Sequence, residues 1–239
     1  MPHPDWLTRR PIAHRGLHDM NRTRFENTLS AFDAAVAGNF AIECDVVLSR
    51  DGVAMVHHDL TLERLAGDKR AAIDVTSAEM EQMAIGGTAD RIPSLAEALA
   101  RLAGRVGIVI ELKGHDDGNT DLVSAVARAL SGYGGPAAIM SFDPWLVAAF
   151  PHLAPGIAAG LTAEGETEAE FAAHEQAMHD GISFISYNVD HLPNPFVARA
   201  RRERGLKAIT WTVRTRDQMA VSATHADQIT FEGFDPDAP

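Results

Sequence analysis

Short apolar runs of β type alternate along the chain with Ala- and Leu-rich stretches of helical period. The runs fall at 12–14, 41–48, 106–111, 137–141, 156–161, 183–186, 207–211 and 228–231. The helical stretches fall between them, at 27–37, 95–102, 122–130, 144–150, 166–179, 195–203 and 216–223. Strands separated by helices imply βαβ units and a parallel sheet. Eight of them predict a closed (β/α)8 barrel rather than an open doubly wound sheet, and the runs at 156–161 and 228–231 decide whether the count is eight or seven. Several boundaries have a local cause. Asn27 is placed to cap the first helix, Ser94 with Glu97 three residues on forms a capping box, and Gly38 sits where a left-handed residue ends a helix. Between about 53 and 92 the rhythm breaks into a short β segment and polar, Gly-containing sequence. That is long for one βα loop. It reads as a small insertion after the second strand, over the barrel end where active sites form.

The chain has 239 residues, and one such barrel needs about 250, so a single domain spanning 1–239 is expected. A formal charge of −12 argues against a nucleic-acid partner, whose affinity would come from Lys and Arg on phosphates. It also disfavours an anionic membrane surface. A small anionic substrate stays compatible if a cation sits in the site, since an ion dominates its local field. With one cysteine, Cys44, no internal disulfide forms. No apolar leader and no apolar run of about 18 residues is present, so the expectation is a soluble, cytoplasmic protein without stable membrane insertion. The oligomeric state is left open, with a homo-oligomer allowed.

The chemistry begins in the second run. Strand side chains alternate, so Glu43 and Asp45 share a face and Cys44 takes the other. Two neighbouring carboxylates facing a barrel interior repel and are costly to desolvate unless a cation compensates them; solvation at a strand end is the equally weighted alternative. Glu111 and Lys113 repeat the pattern in the third run, where a simple ion pair is the alternative. Glu43, Asp45 and Glu111 then converge as an all-oxygen set that suits Mg²⁺ or Ca²⁺ better than Zn²⁺. His14-Arg15-Gly16 ends the first strand: Arg matches phosphate bidentately, and His transfers protons near neutrality. Alone, the tripeptide reads equally as a capping loop. His57-His58-Asp59 supplies a second histidine, and only one of the two faces inward if the segment is extended.

In order, Ile12-Ala13-His14-Arg15-Gly16, Glu26-Asn27-Thr28-Leu29-Ser30-Ala31-Phe32, Ile42-Glu43-Cys44-Asp45-Val46, Asp51-Gly52, His58-Asp59 with Leu62 and Arg64, Ile92-Pro93-Ser94-Leu95-Ala96-Glu97-Ala98-Leu99, Ile110-Glu111-Leu112-Lys113, Ser141-Phe142 and Trp211-Thr212-Val213 together resemble the glycerophosphodiester phosphodiesterase family. The resemblance covers most of the chain and is densest through Lys113. It implies an α/β fold, the (β/α)8 TIM barrel, and metal-dependent hydrolysis of glycerophosphodiesters to sn-glycerol 3-phosphate and an alcohol. It implies a divalent ion on Glu43, Asp45 and Glu111, an acid–base pair of His14 and His58 in preference to His57, phosphate contacts from Arg15 and Lys113, support from Glu26 and Asn27, and a pocket wall at Trp211. Departures lie on the substrate side. Phe25 stands where Pro usually precedes Glu-Asn-Thr, Arg214 where Asn is common, and Thr230-Phe231-Glu232-Gly233 where the last strand usually ends in Thr-Asp with a nearby Pro. The competing readings are a phospholipase D-like enzyme acting on lysophospholipids and a barrel that binds phosphodiesters without turnover.

Overall fold

The computed structural model describes residues 4–116 and 118–238. Eight parallel strands carry the fold: β1 (Ile12–Ala13), β2 (Ala41–Leu48), β4 (Ile108–Leu112), β5 (Ala137–Ser141), β6 (Ala158–Ala163), β7 (Ile182–Asn188), β8 (Lys207–Val213) and β9 (Gln228–Phe231). Each pairs with the next, and β1 joins both β2 and β9, so the sheet closes on itself as a (β/α)8 TIM barrel. The runs at 156–161 and 228–231 are both strands. Helices α1 (Leu29–Ala37), α4 (Leu95–Leu102), α5 (Asp121–Leu130), α6 (Pro144–Leu153), α7 (Glu168–Ala177), α8 (Pro195–Arg204) and α9 (Arg216–His225) fill the crossovers.

Alternation along the strands divides the apolar residues between two cores. Ile42, Cys44 and Val46 of β2, with Ile108, Ile110 and Leu112 of β4, point outward under the helices. Ile12, Ala41, Val109, Ala138, Phe184 and Ile209 point inward and fill the lower barrel, which Leu7 and Trp6 close from below. The upper interior is left to polar side chains.

Three local expectations are corrected. Ser94 caps α4 by accepting from the Glu97 backbone N–H, without the reciprocal bond of a capping box. The cap of α1 is Thr28, whose side chain accepts from the Ala31 backbone N–H; Asn27 sits just before it with φ +56°, its side chain drawn to Asp45 instead. Gly38 is right-handed (φ −80°), and Asn39 takes the left-handed turn. Gly38 answers a close approach: a Cβ there would stand 2.8 Å from the Phe40 ring.

The segment after β2 begins with β3 (Ala54–Val56), which turns back antiparallel on Val46–Leu48. The short helices α2 (Glu63–Ala66) and α3 (Ser77–Met80) follow. Leu62, Leu65, Val75, Met80, Ile85 and Ile92 pack on Val47 and Met55 as a small core of their own. The segment therefore rides on the C-terminal end of β2, beside the polar interior.

Candidate active site

The acidic residues meet because β2 and β4 are neighbours in register. Asp45 pairs directly with Glu111, and Glu43 lies two residues below Asp45 on the same face. Oxygens from Glu43, Asp45 and Glu111 lie within 4.8 Å of one another, and all three residues are buried. Asp45 is the best served. Its Oδ2 accepts from Asn27 Nδ2 at 2.9 Å and stands 3.2 Å from Arg15 Nε; its Oδ1 stands 3.3 Å from Lys113 Nζ. Burial pushes its carboxyl up, but Lys113 and Arg15 outweigh that and hold it below the usual range. Glu43 accepts the Arg15 backbone N–H at 3.0 Å, and the His14 ring stands 4.0 Å away. Burial, with Asp45 and Glu111 beside it, pushes this carboxyl well above its ordinary value. Glu111 pairs with Lys113, yet burial and Asp45 still lift it to about 7. Buried carboxylates raised by mutual repulsion are what a divalent cation stabilises. The all-oxygen donor set fits Mg²⁺ or Ca²⁺.

The first loop holds these groups by backbone geometry. Arg15 and Gly16 are both left-handed, φ +53° and +78°. Gly16 has no room for a side chain, since a Cβ would stand 2.8 Å from the Phe32 ring. Arg15 also donates to Glu26 at 2.7 Å, and Glu26 accepts from Arg64 at 2.8 and 3.1 Å. Arg64 reaches on to Asp59 at 2.6 Å, and Asp59 accepts from His58 Nδ1 at 2.7 Å. A single chain of ion pairs thus ties His58 to Asp45. The sequence hid this connection through Asp59, Arg64 and Glu26, although adjacency of His58 and Asp59 was the available signal.

A cavity of about 260 Å³ opens over the cluster, lined by His14, Arg15, Glu43, Asp45, His58, Glu111, Lys113 and Trp211. All eight residues singled out from the sequence face one space. The same walls include Met140, Phe142, Thr212, Arg214 and Thr230, which the sequence reading did not single out as lining. Phe142 meets Trp211 edge to face at 5.3 Å between centroids, and Lys113 Nζ lies 5.7 Å from the Phe142 centroid. His57 is buried, with its Nε2 3.1 Å from the Thr61 carbonyl, and does not line the cavity. Cys44 is buried in the outer core. A larger cavity of about 580 Å³ lies between the first loop and the chain end. It touches neither the acidic cluster nor His58.

His14 is held from a direction the sequence did not give. Its Nδ1 stands 2.6 Å from Glu232 Oε2, and burial, opposed by that contact, lowers its pKa. Other histidines serve the backbone: His191 Nδ1 accepts the Gly165 N–H at 2.8 Å, and His179 Nε2 lies 3.0 Å from the Val147 carbonyl.

The sequence model of the glycerophosphoryl diester phosphodiesterase family matches residues 14–230. YhdW of Bacillus subtilis is 29% identical over 221 residues, covering 87% of this chain and 88% of its own. A glycerophosphodiester phosphodiesterase of Caldanaerobacter subterraneus is 26% identical, covering 87% of each. Among solved structures, an Oleispira antarctica phosphodiesterase in complex with the product sn-glycerol-3-phosphate superposes with a TM-score of 0.81 at 21% identity, over 96% of this chain and 94% of that one.

Proposed function

Since the chain belongs to the glycerophosphoryl diester phosphodiesterase family and is a phosphoric diester hydrolase of the glycerophosphodiester type, we propose that it hydrolyses its substrate to sn-glycerol 3-phosphate and an alcohol with a divalent metal ion and a histidine pair. The observation that carries this reading is one cavity holding two histidines, three converging carboxylates, Arg15 and Lys113. Glu43, Asp45 and Glu111 would hold the ion. Bound there, it supplies a Lewis acid for a phosphoryl oxygen and a counter-charge for the anionic substrate. Arg15 and Lys113 hold the phosphoryl oxygens and stabilise the charge that grows on them. One of His14 and His58 accepts the proton of the attacking hydroxyl, and the other gives one to the leaving alkoxide, so that the phosphorus–oxygen bond to the alcohol breaks as the new one forms. Trp211 and Phe142 form an apolar wall against the substrate's carbon skeleton. The product seen in the Oleispira enzyme has the chemistry this reading assigns to the cavity. A volume of about 260 Å³, just below the roughly 300–1,000 Å³ of most ligand sites, favours a compact headgroup over an acyl chain, and hence glycerophosphodiesters over lysophospholipids.

The test is product release. Purified protein is given glycerophosphocholine, glycerophosphoethanolamine or a lysolipid, first with EDTA and then with Mg²⁺, Ca²⁺ or Mn²⁺ restored. Release of glycerol 3-phosphate that EDTA abolishes and metal restores is expected, with His14→Ala and His58→Ala each slower by about 10² to 10⁴. Undiminished release in EDTA would show that hydrolysis needs no metal ion. Metal binding without turnover of any diester would favour a binding barrel.

A further inference from the structure

Glu232 follows directly after β9 and lies 218 positions along the chain from His14, which it meets at 2.6 Å. Its two oxygens have separate partners. Oε2 faces His14 Nδ1 and stands 3.4 Å from His18 Nε2. Oε1 accepts from Arg214 Nε at 2.8 Å and lies 2.7 Å from the second Arg214 donor. The protons can be assigned. The Met20 backbone N–H donates to His18 Nδ1 at 3.2 Å, so a neutral His18 ring carries its proton on Nε2, close to Glu232 but without hydrogen-bonding geometry. We propose that Glu232, steadied by His18 and Arg214, is the positioning residue that accepts the Nδ1 proton of His14 and thereby turns a bare Nε2 into the catalytic cavity. The proposal rests on the acid–base role given to His14 above.

Burial would favour a protonated Glu232, but its bond to His14 outweighs that, with the nearby His18 and Arg214 adding to it, and holds it ionised. An ionised carboxylate can only accept, which fixes the tautomer of the ring it faces. His14, His18 and Glu232 also lie close enough to share a metal ion. Two ligand atoms each about 2.1 Å from a tetrahedral ion stand roughly 3.4 Å apart, whereas the His14–Glu232 separation of 2.6 Å is that of a hydrogen bond. Arg214 also puts a positive charge against the same carboxylate.

Glu232→Gln keeps the shape and removes the second acceptor. Arg214 retains the one amide oxygen, and the NH₂ group turns to His14, which then accepts at Nδ1 and carries its proton on Nε2. Expected is a fall in kcat of about 10- to 100-fold, with KM within about twofold and an unchanged thermal midpoint. In the His14→Ala background the same change should cost nothing further. Long-range ¹H–¹⁵N spectra of histidine-labelled protein should show the Nδ1–H tautomer for His14 in the wild type and Nε2–H in the variant. A wild-type kcat for Glu232→Gln, or an additive loss on top of His14→Ala, overturns the proposal. So does an Nε2–H tautomer in the wild type, a reading that needs no variant to fold. Full activity in His14→Ala would instead overturn the acid–base reading itself.

Discussion

At the scale of single residues the site is a contest between burial and pairing. Glu26 shows the sign clearly. Burial alone would raise its carboxyl, but hydrogen bonds from Arg64 and the charge of Arg15 bring it down to about 2 from a usual 4.5. A depressed folded-state pKa contributes stability that is present above pH 4.5 and lost as pH falls through about 2. The linked free energy is on the order of a few kcal/mol. Glu26→Gln should therefore lower the urea midpoint at neutral pH and make its decline between pH 4.5 and 2 shallower than in the wild type; parallel declines would show that Glu26 is not linked to folding in this way. The acidic cluster was legible at this scale because two-residue alternation and neighbouring strands suffice to gather Glu43, Asp45 and Glu111. Glu232 was not, because its partner is 218 positions away and no local period reports such a contact. Asn27 misled for a related reason: a capping residue type just before a helix was claimed by a carboxylate from another strand.

The elements follow from patterning and close packing. Every apolar run with β residues became a strand, since inward and outward positions each found a core. Boundaries moved by a few residues where caps decided them, as at Thr167, whose side chain starts α7 at Glu168. Gly160 marks a tight constraint inside the barrel. A Cβ there would stand 2.4 Å from the ring of its register partner Phe184 on the neighbouring strand, which is fully buried. Gly160→Ala should destabilise the fold by roughly 1–3 kcal/mol through overpacking, read as a lower urea midpoint with an unchanged slope. The double change Gly160→Ala with Phe184→Leu should recover part of the loss. A neutral Gly160→Ala would mean the interior is looser than the contact implies. The antiparallel return of β3 was foreseen only as a short β segment, because a three-residue strand carries too little pattern to give its direction.

For the whole molecule, closure is what creates the site. β1 and β9 join residues from the two ends of the chain, placing His14 beside Glu232, while β2 and β4 supply the acids and the segment after β3 brings His58 to the same rim. Alternating strands and helices made the barrel legible; the path of the segment at 53–92 was not, because its own small core is built from scattered Leu, Ile and Met without a period. No described helix is long and apolar enough to cross a membrane. A chain of formal charge −12 repels an anionic diester at long range, and a divalent cation among the three acids would receive it. Crystals soaked in Mn²⁺, which favours the same oxygen ligands, test that placement through anomalous scattering. One strong peak is expected within coordination distance of Glu43, Asp45 and Glu111; a peak elsewhere, or none at the cluster with the protein fully active in the same solution, would contradict a metal centre there.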